Sequence, residues 1–195
     1  MESIMGSYNP KLLLKLPPAL NVGVTGHRPE RLQAAELDVL SWQITTVLKL
    51  IADTVTELAA TVDAQALYND AKPTLRLLSS LAEGADRIAA DCALAEGFAL
   101  QCPLPFAQEV YAEDFTDPAS KAAYYKLLKQ ADRVLELDGV TSNKRLAYRQ
   151  AGQFLLHHAD IMLAVWDGED DEASVGTAGL VAETQRQGLP LCFVF

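Results

Sequence analysis

Six short apolar runs punctuate the chain, at residues 20–25, 74–80, 98–104, 133–137, 161–166 and 191–195. Each is short and predominantly apolar, which is the pattern of a strand. Between the first two, Leu37, Leu40, Ile44, Leu48, Ile51, Val55 and Leu58 recur at steps of three and four, so a long amphipathic helix is predicted there. Helical patterns follow at 83–96, 120–131, 144–158 and 178–187, with Gly97 and Gly188 placed as stops. Strand and helix in strict alternation predict an α/β fold of three layers, α/β/α, around a mainly parallel sheet. Right-handed crossovers put the first strand in the centre, with core order 3-2-1-4-5 plus a further strand.

No repeat, low-complexity segment or shift of composition divides the chain. Residues 1–19 are expected to be an N-terminal leader and 20–195 a single domain. The last apolar run reaches the final residue, so the domain is expected to be part of a longer protein. Residues 103–118 form one long irregular stretch bearing Phe106, Tyr111 and Phe115, after the third strand. Two readings of it stand: a mobile flap beside the ligand, with Phe106 or Tyr111 stacking on a base, or an aromatic cluster packed on the neighbouring helix.

A net charge of −10, with Lys and Arg scattered rather than clustered, opposes a phosphate backbone, so no nucleic-acid partner is expected. Cys92, Cys102 and Cys192 are odd in number and far apart, which reads as free thiols in a reducing compartment. Neither CxxC spacing nor a His pair four apart is present, so no metal site is expected. No window approaches the ~20 apolar residues of a membrane span and no cleavage site follows the early apolar run. The expectation is a cytoplasmic protein without membrane contact, for which self-association is left open.

Chemistry concentrates where strands end. The first strand runs into Gly26-His27-Arg28, the second into Ser79-Ser80-Leu81-Ala82-Glu83-Gly84-Ala85-Asp86, and the fifth into Asp167-Gly168 and then Gly176-Thr177-Ala178. In a parallel sheet all three turns fall on the carboxyl rim, where ligands bind. Gly176, Thr177 and Ala178 open a helix, whose free N–H groups and positive end suit a phosphate. Arg28 pairs with a phosphate or is a solvated charge, and His27 meets a base or is a satisfied structural residue. Glu83 and Asp86, in the first turn of their helix, cap it or order the neighbouring turn. The acidic run 169–172 reads as a solvated face.

Taken together, Val22-Gly23-Val24-Thr25-Gly26-His27-Arg28, the Ser79–Asp86 turn, Ala164-Val165-Trp166-Asp167-Gly168 and Gly176-Thr177-Ala178 resemble the SLOG superfamily, as does the stretch Ala147-Tyr148 through Gly152. This superfamily unites the Rossmann-like domain of DNA-processing protein A with the lonely-guy phosphoribohydrolases and with nucleotide-sensor domains. The resemblance implies a Rossmann-like sheet and a nucleotide or nucleotide-derived ligand held by Gly26, His27, Arg28, Ser80, Glu83, Gly84, Asp86, Asp167, Gly168, Gly176, Thr177 and Ala178, with no cofactor expected. The lonely-guy enzymes place a glutamate three positions after the threonine, where this chain has Leu180; Glu183 lies six positions on, and Arg149 is two residues out of register with the family's arginine. Hydrolysis of nucleoside monophosphates or related N-glycosidic bonds, with Glu83, Asp86, Glu183 or Arg149 taking part, is thus the alternative to ligand sensing. A ligand-free interaction module is the third reading.

Overall fold

The computed structural model describes residues 15–32, 37–169 and 176–194. Residues 170–172 of the acidic run, Phe195 and most of the leader lie outside them. Strands β1 (Ala19–Gly26), β2 (Thr74–Leu78), β3 (Ala99–Leu104), β4 (Arg133–Glu136), β5 (Ile161–Val165) and β6 (Leu191–Val194) form one all-parallel sheet in the order β4-β3-β2-β1-β5-β6. The first strand is central, as expected. Without β4 the order is β3-β2-β1-β5-β6, the 3-2-1-4-5 pattern with β5 and β6 in its last two places, so β4 is the further strand. Its four residues are exposed or half-buried, as suits an edge.

Eight helices connect the strands: α1 (Pro29–Leu32), α2 (Leu37–Ala59), α3 (Val62–Leu67), α4 (Ala85–Ala95), α5 (Gln108–Tyr111), α6 (Pro118–Leu128), α7 (Lys144–His158) and α8 (Thr177–Gln187). Side chains alternate across the sheet. Val22, Val24, Leu77, Leu163 and Val165 point to the face covered by α2 and α4, while Leu78 and Met162 meet Leu155, Leu156 and Ala159 around α7. The α2 stripe is buried at Leu40, Ile44, Leu48 and Ile51, whereas its end members Leu37 and Leu58 are exposed because the helix outruns the sheet beneath it. Helix ends follow local chemistry. Asp117 accepts from the Ala119 and Ser120 N–H groups at 3.3 and 3.0 Å, and Gly188 closes α8 at φ +69°.

Residues 103–118 are a packed wall rather than an open flap. They hold α5 and a 3-10 turn at Ala112–Asp114, and Phe106, Tyr111 and Phe115 are at most 2% exposed. Their rings meet Tyr124 and Tyr148 largely edge-on, with centroids 5.7 Å apart for Tyr111–Tyr124 and 5.9 Å for Phe106–Tyr148. Burying a ring removes ~150–250 Å² from water, worth about 4 kcal/mol, and the buried rings together fasten the segment to the domain.

Gly26 is where β1, β5 and α4 come closest. A Cβ there would overlap that of Ala85 and lie 2.8 Å from that of Val165, whereas a Cβ at Gly176 would meet nothing within 4 Å among the described residues. Gly26→Ala is therefore expected to cost about 1–3 kcal/mol in urea unfolding, and Gly176→Ala less than about 0.5 kcal/mol.

Candidate functional site

The strand register brings the polar turns together. Gly23 pairs with Leu78 and Gly26 with Val165, so β1, β2 and β5 end on one rim. The backbone then closes the turns on each other. His27 N–H donates to Val165 O at 3.1 Å, and Ala85 N–H donates to His27 O at 3.1 Å. Gly84, at φ +92°, passes so close that a Cβ would sit 2.5 Å from His27 O. Its freedom serves the contact between turns, and Gly84 does not line the cavity described below.

His27 is buried, with Nε2 2.9 Å from Asp167 Oδ1 and 3.2 Å from the Asp167 amide nitrogen. The other Asp167 oxygen takes Arg31 at 2.5 Å. Partial burial raises the Asp167 pKa, but the Glu169 N–H, His27 and Arg31 outweigh it and hold the carboxyl below its ordinary value. This group latches the β1 turn to the β5 turn and stands outside the cavity.

A cavity of about 630 Å³ opens on this rim, within the ~300–1,000 Å³ of small-molecule sites. Val24, Thr25, Gly26 and Arg28 form one side, Ser80, Ala82 and Asp86 the next, and Pro105 and Tyr111 a third. Arg145, Tyr148, Arg149, Gly152, Leu155 and Leu156 of α7 face Gly176, Thr177, Gly179, Leu180 and Glu183 at the start of α8. The α7 residues recur at three- and four-residue steps, so one helix face is a wall. A Cβ on Gly152 would lie 3.2 Å from Leu180 Cδ1, which marks how closely α7 and α8 approach.

Of the residues singled out from the sequence, Gly26, Arg28, Ser80, Asp86, Gly176 and Thr177 line this cavity, with Arg149 and Glu183; His27, Glu83, Gly84, Asp167, Gly168 and Ala178 do not. Several polar groups are already engaged. Ser80 Oγ donates to Pro103 O at 2.9 Å, and Glu83 accepts the Ser120 hydroxyl and lies 3.8 Å from Arg28. Glu183 accepts from Arg186 Nε at 2.9 Å and Gln187 Nε2 at 2.6 Å, and these bonds hold its carboxyl below its ordinary range. Glu83 is thereby engaged within the protein, and Glu183 is a poor base. Tyr148, Arg145 and the leucines of α7 were not legible as site residues; the signal was an arginine- and tyrosine-bearing face beside the buried stripe of Ala147, Ala151 and Leu155.

Two features set the electrostatics. Arg28, Arg145 and Arg149 surround the cavity against two carboxyls, Asp86 and Glu183, in a chain of net charge −10. Gly176 starts α8 with no side-chain cap, and its carbonyl accepts the first helical bond, from Leu180 N–H at 3.2 Å. The first-turn N–H groups have no partner within the helix. Asp86 is 7% exposed, and burial pushes its carboxyl up to about 7 against the pull of Arg28, the Ala82 N–H, Arg87 and Ser79.

A folded pKa above the unfolded one means that the native state binds the extra proton between the two values. Stability from Asp86 is therefore lost as pH rises from about 4 to about 7. Asp86→Asn lacks that loss. Its melting temperature is expected to exceed wild type at pH ~8, by up to about 4 kcal/mol of stability, with the gap closing toward pH ~4 in calorimetric scans.

No protein-family model matches the chain, and neither does any curated protein. Solved structures do. The structural-genomics target TM1055 superposes with TM-score 0.50 and 13% identity, over 88% of this chain and 72% of its own. DNA processing protein A from Streptococcus pneumoniae gives 0.55 and 13%, over 91% of this chain and 50% of its own. The same protein from Helicobacter pylori, whose structure is described by its single-stranded DNA binding mode, gives 0.50 and 15%, over 89% and 64%. The chain thus spans half to two thirds of these DNA processing proteins. The sequence-based exclusion of nucleic acid is overturned, since the fold is shared with a protein described by how it binds single-stranded DNA. Net charge sums the whole molecule, whereas binding responds to the local field, and this rim carries three arginines. The chain shares a Rossmann-like α/β fold with these structures.

Proposed function

We propose that the cavity binds a nucleotide or nucleotide-derived small molecule, as the sensing part of a longer protein. The observation that carries this is three arginines and an uncapped helix N-terminus converging on one ligand-sized cavity in an otherwise acidic chain. Arg149 has no ion-pair partner among the described residues, so its charge is available to a ligand anion. The phosphate lies against Gly176 and Thr177, where first-turn N–H groups and the helix dipole act together. Tyr148 and Leu180, both partly exposed on the cavity wall, offer apolar surface to sugar and base. An open cavity of this size counts against a ligand-free interaction module, which predicts a blocked or shallow rim.

Asp86 supports a second reading, hydrolysis of an N-glycosidic bond. It is a buried carboxyl in the cavity, raised to about 7, where a group exchanges protons at neutral pH. Chromatography separates the two readings: a sensor returns its ligand intact, and a hydrolase releases free base.

Isothermal titration of wild type with AMP, ADP-ribose and cyclic nucleotides tests the binding. Gly176→Asp is expected to abolish it with an unchanged circular dichroism spectrum, because the new side chain enters open space and its carboxylate takes the N–H donors. Arg149→Gln is expected to weaken it about tenfold, the worth of one charge-assisted hydrogen bond. Equal affinity in Gly176→Asp would remove the phosphate from α8, and a wild type that binds none of these ligands would refute the reading.

A further inference from the structure

Asp86 stands apart from the neighbouring acids of this rim, Glu183 in the cavity and Glu83 beside it. Glu183 is held by Arg186 and Gln187 on α8, and Glu83 by Ser120, but Asp86 faces the cavity from the first turn of α4. Arg28, from the β1 turn, acts electrostatically on Asp86, Tyr111 and Tyr148 alike, and all four line the cavity.

The other groups around it are committed or keep their charge. Arg87 shares the helix with Asp86, but its Nε donates to Leu81 O at 3.0 Å and its Nη1 to Ser120 O at 2.8 Å, with its guanidinium 4.2 Å from the Phe115 ring centre. Ser79 and the Ala82 N–H bond to Asp86 from the β2 end. Burial pushes the hydroxyls of Tyr111 on α5 and Tyr148 on α7 above their ordinary range, and Tyr148 donates to Asp114, which also pairs with Lys144. Arg145 and Arg149 contribute fixed positive charge from α7. His27 faces Asp167, away from the cavity.

An anion drawn to Arg28 therefore meets the Asp86 carboxyl. Ionised, that carboxyl repels the anion in a partly dry site; protonated, it donates one hydrogen bond to it. We propose that Asp86 sets which charge the cavity accepts, so that an anionic nucleotide binds together with one proton taken up by this side chain. This rests on the binding reading above. Burial of Asp86, which already favours its neutral form, agrees with it. The consequence is a site that fills most readily at mildly acidic pH and empties as pH rises, with no change in the ligand.

ADP-ribose is the suitable probe, because both its phosphates are diesters and lack the second ionisation near pH ~6 of a terminal phosphate. Titration calorimetry at pH ~6 and ~8 is expected to show wild-type affinity falling about tenfold. Repeating the titration near pH ~7.5 in two buffers of different ionisation enthalpy is expected to show uptake of close to one proton. Asp86→Asn keeps the acceptor for the Ala82 N–H, and it is expected to bind with one affinity at both pH values and to take up no proton. A slope that persists in Asp86→Asn would assign the proton to another group, such as His27, and overturn the proposal. A flat wild-type affinity without proton uptake overturns it too, and does so without reliance on any variant. Absence of ADP-ribose binding even at pH ~6 would instead bring down the binding reading and this inference with it.

Discussion

The site depends on one constraint, the approach of the β1, β2 and β5 turns to within backbone contact. That approach requires no side chain at Gly26, where Ala85 and Val165 occupy the space a Cβ would need, and none at Gly84, which lies over His27 O. The hydrogen bonds Ala85 N–H to His27 O and His27 N–H to Val165 O then lock the turns, and the His27–Asp167–Arg31 group ties them from outside. Glycine here is a packing requirement first. The cavity exists because three strand ends are held at one depth and α7 and α8 rise past them.

Burial and charge act against each other at Asp86 and in concert elsewhere. The aromatic wall of Phe106, Tyr111, Phe115, Tyr124 and Tyr148 takes the β3 side of the site out of water. The same dryness that stabilises those rings disfavours an ionised carboxyl beside them, so fold stability and the proton affinity of Asp86 have a common cause. Arg87 shows the complementary case. It stays buried because Leu81 O, Ser120 and the Phe115 ring receive its guanidinium, although its Nη2 is left without a partner.

Much of the architecture was legible before any coordinates. Short apolar runs imply strands, their alternation with helical patterns implies a sheet covered on both faces, and the three- and four-residue steps from Leu37 to Leu58 imply α2, because periodicity is a local property of the chain. The short helices α1, α3 and α5 were not legible, since four to six residues carry too little period. The edge position of β4 was likewise open, because strand order depends on where a helix crosses the sheet and no residue encodes that alone.

The candidate site divides along the same line. Gly26, Arg28, Ser80, Asp86, Gly176 and Thr177 follow from strand ends meeting a common rim, which a parallel sheet enforces whatever the details. Tertiary structure alone decided the rest. It turned His27 and Asp167 into a latch, committed Glu83 to Ser120, buried the 103–118 segment as a wall, and presented Arg145, Tyr148 and Arg149 to the cavity. Sequence determines which residues share an element and a face, because backbone geometry repeats every few residues. Which of two polar neighbours meets a ligand and which meets the protein is set by contacts between segments more than a hundred residues apart, such as His27 with Asp167, and those have no local signature.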